Sequence, residues 1–145
     1  MTLEGSVPAR ILRGELPMPA IARLLGFRLA HVAPDACSIE MDAGPQHANP
    51  MGTLHGGVLC DLADAAMGMA LASGLTDGET FTTLELKINF LKPVWSSRLT
   101  AAAVVVKRGK TVSMAQCDVT DAQGQLIARS SCTMMTLRGD QAKGR

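Results

Sequence analysis

Little in this sequence is charged in excess: 14 Lys and Arg stand against 13 Asp and Glu, a formal net charge of +1. No cluster of basic residues marks a nucleic-acid footprint, and with 47% apolar residues nothing marks a disordered tail. The four cysteines, Cys37, Cys60, Cys117 and Cys132, are scattered, with no CxxC pair. That speaks against a disulfide frame or a zinc site and for small buried thiols in a reducing compartment. No basic segment leads into an apolar run near the start, so no signal peptide is expected. The most apolar stretch, VLCDLADAAMGMALASGL, carries Asp61 and Asp64, which argues against a membrane span. Tyrosine is absent and the aromatics reduce to Phe27, Phe81, Phe90 and Trp95, so no aromatic-lined pocket can be read from composition. We therefore expect a cytoplasmic protein and, at 145 residues, a single domain over 1–145 able to bury its own core.

The pattern that is present alternates between two periods. Apolar residues near the start are interrupted by Pro17 and Pro19, which leaves a short helix near residues 19–25, ended around Gly26. RLAHVAPDACSIEMDAG reads as two strands around a turn at Pro34 and Asp35, and residues 44–54 are turn-rich. From about Gly56 to Ser73, Leu59, Leu62, Ala63, Ala66 and Ala70 follow helical spacing, with Met67, Met69 and Leu71 filling the rest of the circumference. A helix apolar nearly all round is expected to be buried. LELKINF, RLTAAAVVVK, TVSMAQCDVT and QLIARSSCTMMTL then read as strands, joined by hairpin turns at residues 108–110 and 121–124, and the tail after Leu137 as frayed. The expected architecture is α+β: one long central helix wrapped by an antiparallel sheet of five or six strands.

The run HANPMGTLHGGVLCDLAD, residues 47–64, carries the chemistry. Gly56 and Gly57 open a helix whose N-terminus presents unpaired N–H groups, able to polarise a carbonyl and to stabilise an oxyanion. Asp61 and Asp64 are the acidic candidates, and spacing alone does not choose between them. Gly56 and Asp64 are eight residues apart, about 12 Å along a helix, whereas reacting atoms must approach to about 3–3.5 Å. If the two cooperate, a second copy packed antiparallel across a two-fold axis must bring one chain's Asp64 to the other's Gly56. His47 and His55 lack a third ligand at a recognisable spacing, so no metal is expected, and no serine sits in a nucleophile elbow. Lys107, Arg108 and Lys110 could hold a phosphate or simply form a charged hairpin tip.

HANPMGTLHGGVLCDLADAAMG, with TTLELKINFLKPV and KRGKTVSMAQCDVTDAQGQLIARSSCTMM, closely resembles the hotdog-fold acyl-CoA thioesterases of the PaaI-like type, in the 4-hydroxybenzoyl-CoA thioesterase superfamily. The resemblance covers about residues 20–137, and its central motif is HxNxxGxxHGG followed by an acidic residue nine positions after the second His. It implies a hotdog fold, a homodimer and a dimer of dimers, an acyl-CoA substrate and no cofactor. It also implies roles. Gly56 is the backbone donor to the thioester carbonyl, Asn49 helps place the carbonyl or the water, and Asp64 rather than Asp61 is nucleophile or general base. Thr83, from the neighbouring subunit, holds the attacking water, and His55 orients the loop. Gly57 falls to substrate binding, with Lys107, Arg108 and Lys110 near the nucleotide end, while the residues themselves suggest a flexible apolar lining of the acyl pocket from Met67, Met69 and the helix alanines. A hotdog hydratase would want a catalytic His paired with an acid, and a binding-only module would not need the carboxylate. Aryl, arylacetyl and medium-chain acyl groups all remain open.

Overall fold

The structure, a computed structural model, describes residues 2–144. Its first helix, α1 (Val7–Leu12), is short, yet well started: the Ala9 N–H donates to the Ser6 hydroxyl at 3.4 Å, and a proline occupies the first turn. This helix is additional to the one expected near residues 19–25. That second helix, α2 (Ala20–Leu25), ends where Gly26 takes a φ of 82°, a left-handed conformation that glycine adopts without steric cost.

Six strands follow: β1 (Arg28–Ala33), β2 (Ala36–Ala43), β3 (Thr80–Phe90), β4 (Ser97–Lys107), β5 (Val112–Thr120) and β6 (Leu126–Leu137). They form one antiparallel sheet in the order β1-β2-β4-β5-β6-β3. Helix α3 (Gly56–Ala72) lies between β2 and β3 in the chain and packs on β2, β3, β4 and β5. The sheet's inner face alternates as a half-buried strand must, with Leu99, Ala101 and Ala103 buried on β4 and Ala115, Cys117 and Val119 on β5. Ala101 pairs with Ile39 on one side and Val119 on the other, so a small residue sits between two large ones in the middle of the sheet. Leu59, Leu62, Ala63, Ala66, Met67, Ala70 and Leu71 of α3 complete this core. Truncating Leu62, fully buried there, to alanine costs about 2–5 kcal/mol.

Three expectations need correction. Helix α3 is not buried all round: the sheet covers one side, and Gly57, Asp61, Asp64, Ala65, Met69 and Ala72 remain partly or fully exposed on the other. Strand β3 begins at Thr80, four residues before the alternation that reveals it in the sequence. The tail is not wholly frayed, because Gly139–Ala142 form a 3-10 turn and the Arg138 Nε donates to Glu79 at 2.6 Å; Arg145 lies outside the described residues. Among the described residues no helix is long and apolar enough to cross a membrane.

Candidate active site

The start of α3 is built by two histidines and an asparagine. His47 is buried; its Nδ1 accepts from the Gly44 N–H at 3.3 Å and its Nε2 lies 3.1 Å from the Leu25 carbonyl, a pair that sets the Nε2–H tautomer. The His47 carbonyl in turn accepts the His55 N–H at 2.9 Å. Asn49 ties the intervening loop: its Oδ1 accepts from the Met51 and Thr53 N–H groups at 3.0 and 3.2 Å, and its Nδ2 donates to the Thr53 hydroxyl at 2.9 Å. The tight turn inside that loop uses Gly52 at φ 84°.

His55 is the N-cap of α3, with extended dihedrals of −64° and 131°. Its Nδ1 accepts the Gly57 N–H at 2.9 Å and its carbonyl accepts the Val58 N–H at 3.0 Å. The Gly56 N–H is thereby singled out: it has no acceptor among the described residues. Gly56 lines an open recess of about 440 Å³ with Asn49, Thr53, Phe90 and Val94. A Cβ on Gly56 would lie 3.0 Å from the tip of the Phe90 ring, which covers this end of the helix.

Two turns further on, the Thr83 hydroxyl donates to Asp64 Oδ1 at 2.9 Å. Strand β3 slips register against β6 between Thr83 and Glu85, so Leu84 forms a bulge beside this contact, a common way of re-aiming side chains near a site. Asp61, by contrast, is exposed and has no side-chain partner among the described residues. Both aspartates line a second cavity, of about 370 Å³, whose remaining wall is mostly apolar: Phe27, Ala65, Gly68, Met69, Leu75 and Phe81 among others. A Cβ on Gly68 would come within 2.9 Å of the Phe81 ring, so the bare glycine lets that ring lie against the helix.

All four cysteine thiols are pushed above their ordinary range, which disfavours the thiolate at neutral pH. Burial pushes the thiols of Cys37 and Cys117 up to about 12 and that of Cys132 to about 11; the Asp64 charge adds to the last. Cys60 is raised by burial and by Asp61 and Asp64 beside it. Among the described residues no group of three or more His, Cys, Asp or Glu lies close enough to hold a metal ion.

The structure thus gathers His55, Gly56, Gly57 and Asn49 at the helix start and Asp64 with Thr83 about 12 Å along the same unbroken helix. It does not bring Arg108 to either group. The Arg108 Nε donates to Asp35 Oδ1 at 2.9 Å, and its Nη2 donates to the same oxygen and, at 2.8 Å, to the Leu71 carbonyl at the C-terminal end of α3. Arg108 is a clasp for the fold rather than a free phosphate ligand. Lys107 and Lys110 beside it are exposed and carry no salt bridge among the described residues. Of the two methionines expected to line the acyl pocket, Met67 is fully buried against the sheet, whereas Met69, about 200° further round the helix, does line the cavity. The signal for this was present. Asp61, Asp64, Ala65, Gly68, Met69 and Ala72 are spaced i, i+3, i+4, i+7, i+8 and i+11, one helical stripe from which Met67 is absent.

One long helix held against a single six-stranded antiparallel sheet is the hotdog fold. Residues 51–128 match the thioesterase superfamily, and the chain belongs to that family, on its PaaI-like side. It is 30% identical over 126 residues to mouse acyl-coenzyme A thioesterase 13, across 85% of this chain and 89% of that protein. Its fold superposes on a phenylacetic acid degradation-related protein from Ralstonia eutropha JMP134 with a TM-score of 0.82 and 31% identity, covering 88% of this chain and 98% of that one. A variant of the phenylacetic acid degradation protein PaaI from Thermus thermophilus superposes with a TM-score of 0.74 and 25% identity, covering 81% and 98%.

Proposed function

We propose that this hydrolase cleaves the thioester of an acyl-coenzyme A at a site shared by two copies of the chain. The carrying observation is the placement of the unpaired Gly56 N–H and the Thr83-bound Asp64 carboxylate about 12 Å apart on one helix. One chain's Gly56 N–H donates to the thioester carbonyl and to the oxyanion that develops from it. The other chain's Asp64 takes a proton from water as the water adds to the carbonyl carbon, or itself attacks to give a mixed anhydride that water then opens. In both routes the C–S bond breaks and the sulfur leaves as the coenzyme's thiolate. Thr83 holds the carboxylate, or the water beside it, and the apolar cavity takes an aryl, arylacetyl or medium-chain acyl group. No cofactor enters this chemistry, because a thioester is already activated.

Support for the paired assembly comes from strand β3. Among the described residues it pairs only with β6, so its eleven residues leave an open edge carrying the exposed Leu84 and Phe90. A long unpaired edge is a template for a second strand, here a partner's β3. The exposed Val104, Val106, Val112 and Met114 on the outer sheet face suit the further pairing of two such dimers. The four free cysteines suit a cytoplasmic setting.

The test is thiol release from a panel of aryl, arylacetyl and aliphatic acyl-CoAs by wild type, Asp64→Asn and Asp61→Asn. Loss of about 10²–10⁴-fold in kcat is expected for Asp64→Asn alone. Tight acyl-CoA binding without turnover by wild type would instead make the protein a binding module. Full activity in Asp64→Asn would remove the carboxylate from the mechanism.

A further inference from the structure

The cavity beside Asp64 has two walls of different origin. One is α3 with Phe81 of β3, within the residues that match the superfamily. Small side chains, Ala65, Gly68 and Ala72, run along this wall, and at Gly68 even a methyl group would meet the tip of the Phe81 ring at 2.9 Å. The facing wall comes from the N-terminal segment, outside the matched residues: Val7 at the start of α1, Pro19, and Ile21 in α2.

This segment is ordered by its own chemistry. Ser6 caps α1, Pro8, Ala9 and Ile11 are buried, and α1 packs on β1 and touches α3. The Arg13 guanidinium donates to the Glu4 carbonyl at 2.8 Å and to Glu15 at 2.6 Å, closing the turn after α1. Pro17 and Pro19 stiffen the link to α2. Buried neighbours on both short helices hold the segment down, yet Val7 and Ile21 are each 49% exposed. Half-exposed apolar side chains that line an apolar cavity from a separate, held-down segment help set its width.

We infer that Val7 and Ile21 are specificity-determining residues: the N-terminal segment sets the bulk of the acyl group accepted, while Gly56, Asp64 and Thr83 supply the chemistry. This rests on the thioesterase site proposed above. A pocket that gains or loses a methylene's worth of space changes relative kcat/KM by roughly 10–200-fold. The geometry therefore makes opposite demands on two variants. Val7→Trp narrows the cavity, and Val7→Ala combined with Ile21→Ala widens it.

The experiment measures kcat/KM for acyl-CoAs from butanoyl to hexadecanoyl, with phenylacetyl and naphthoyl esters, for wild type and these variants. Leu24→Ala serves as the control, because Leu24 is 79% exposed on α2 and does not line the cavity. The expected result is a preference ratio between bulky and slim acyl groups that rises at least roughly tenfold in the widened variant and falls at least roughly tenfold in Val7→Trp. Leu24→Ala keeps the wild-type profile. Melting temperatures check that each variant is folded, and the two opposite changes guard against the failure of either one. Parallel profiles in all folded variants would overturn the assignment of the wall while leaving the thioesterase reading intact. A wild type that cleaves none of the esters would instead sink the proposed function.

Discussion

The Thr83 hydroxyl reaches across from β3 to α3 and donates to Asp64 at 2.9 Å, so one strand and one helix of a single chain assemble the carboxylate end of the site. Hydrogen bonds to charged groups contribute about 1.5–3 kcal/mol. Thr83→Val should lower kcat by roughly ten- to hundredfold, with Thr83→Ser restoring most of it. An unchanged kcat in Thr83→Val would mean that the hydroxyl serves only the fold.

Gly56→Pro removes the free N–H without breaking the helix. Proline is favoured at the first helical position, and His55 before it already has the extended backbone that a following proline requires. The melting temperature should hold within a few degrees while kcat falls about 10²–10³-fold. Its ring presses on Phe90, so Phe90→Leu in the same chain tests whether crowding rather than the lost donor is responsible. Recovery of activity in that double variant would remove the N–H from the mechanism.

Mixing the two defects gives a sharper result. Chains carrying Asp64→Asn and chains carrying Gly56→Pro are each inactive, yet a mixed pair keeps one intact site. With random pairing about a quarter of wild-type activity should return on co-expression. No recovery from a preparation proved to contain mixed pairs would place donor and carboxylate in one chain.

Arg108 joins Asp35 to the end of α3, and Gly74 leaves space for it, since a Cβ there would lie 2.7 Å from the guanidinium. Arg108→Ala should cost about 1–2 kcal/mol by chemical denaturation, discounted because both side chains are partly exposed, and KM for the CoA ester should stay put. A raised KM at unchanged stability would return Arg108 to the nucleotide end of the substrate.

Acid should weaken the fold through five carboxylates held below their ordinary range. Arg28 and then Arg98 lower Asp42, Arg129 lowers Asp118, Lys92 and the Gln125 N–H lower Asp121, Arg13 lowers Glu15, and the Thr76 N–H and then Arg138 lower Glu79. The unfolded chain takes up protons at higher pH than the folded one. The stability these groups contribute is therefore complete above the ordinary carboxylate range and lost as pH falls through their depressed folded values. Melting temperature should be level near neutrality and fall toward about pH 3, less steeply in high salt. A melting temperature that rises on acidification would contradict these pairings.

Periodicity made α3 and the four later strands legible, because each is long and its apolar spacing is regular. Helix α1 was hidden: six residues are too few for a period, although Ser6 and Pro8 mark its start. Thr80–Thr83 lack the alternation that identifies the rest of β3, since all four are half-buried. Gly56 and Asp64 could be named from their motif, whereas separating Met69, which lines the cavity, from Met67, which does not, turned on which side of α3 the sheet would cover. The far wall was beyond reach. Val7 meets the cavity across some sixty residues of chain, and no local pattern encodes that contact.

Helix α3 is fastened at both ends by side chains, His55 on the Gly57 N–H and Arg108 on the Leu71 carbonyl. A rod pinned at head and foot resists both unwinding a turn and sliding. Whatever displaces the β4–β5 hairpin must therefore either break its clasp or carry the whole helix with it, roughly 24 Å to its other end. For the two-chain site proposed above, the spacing between Gly56 and Asp64 is a gauge length that both copies would have to keep.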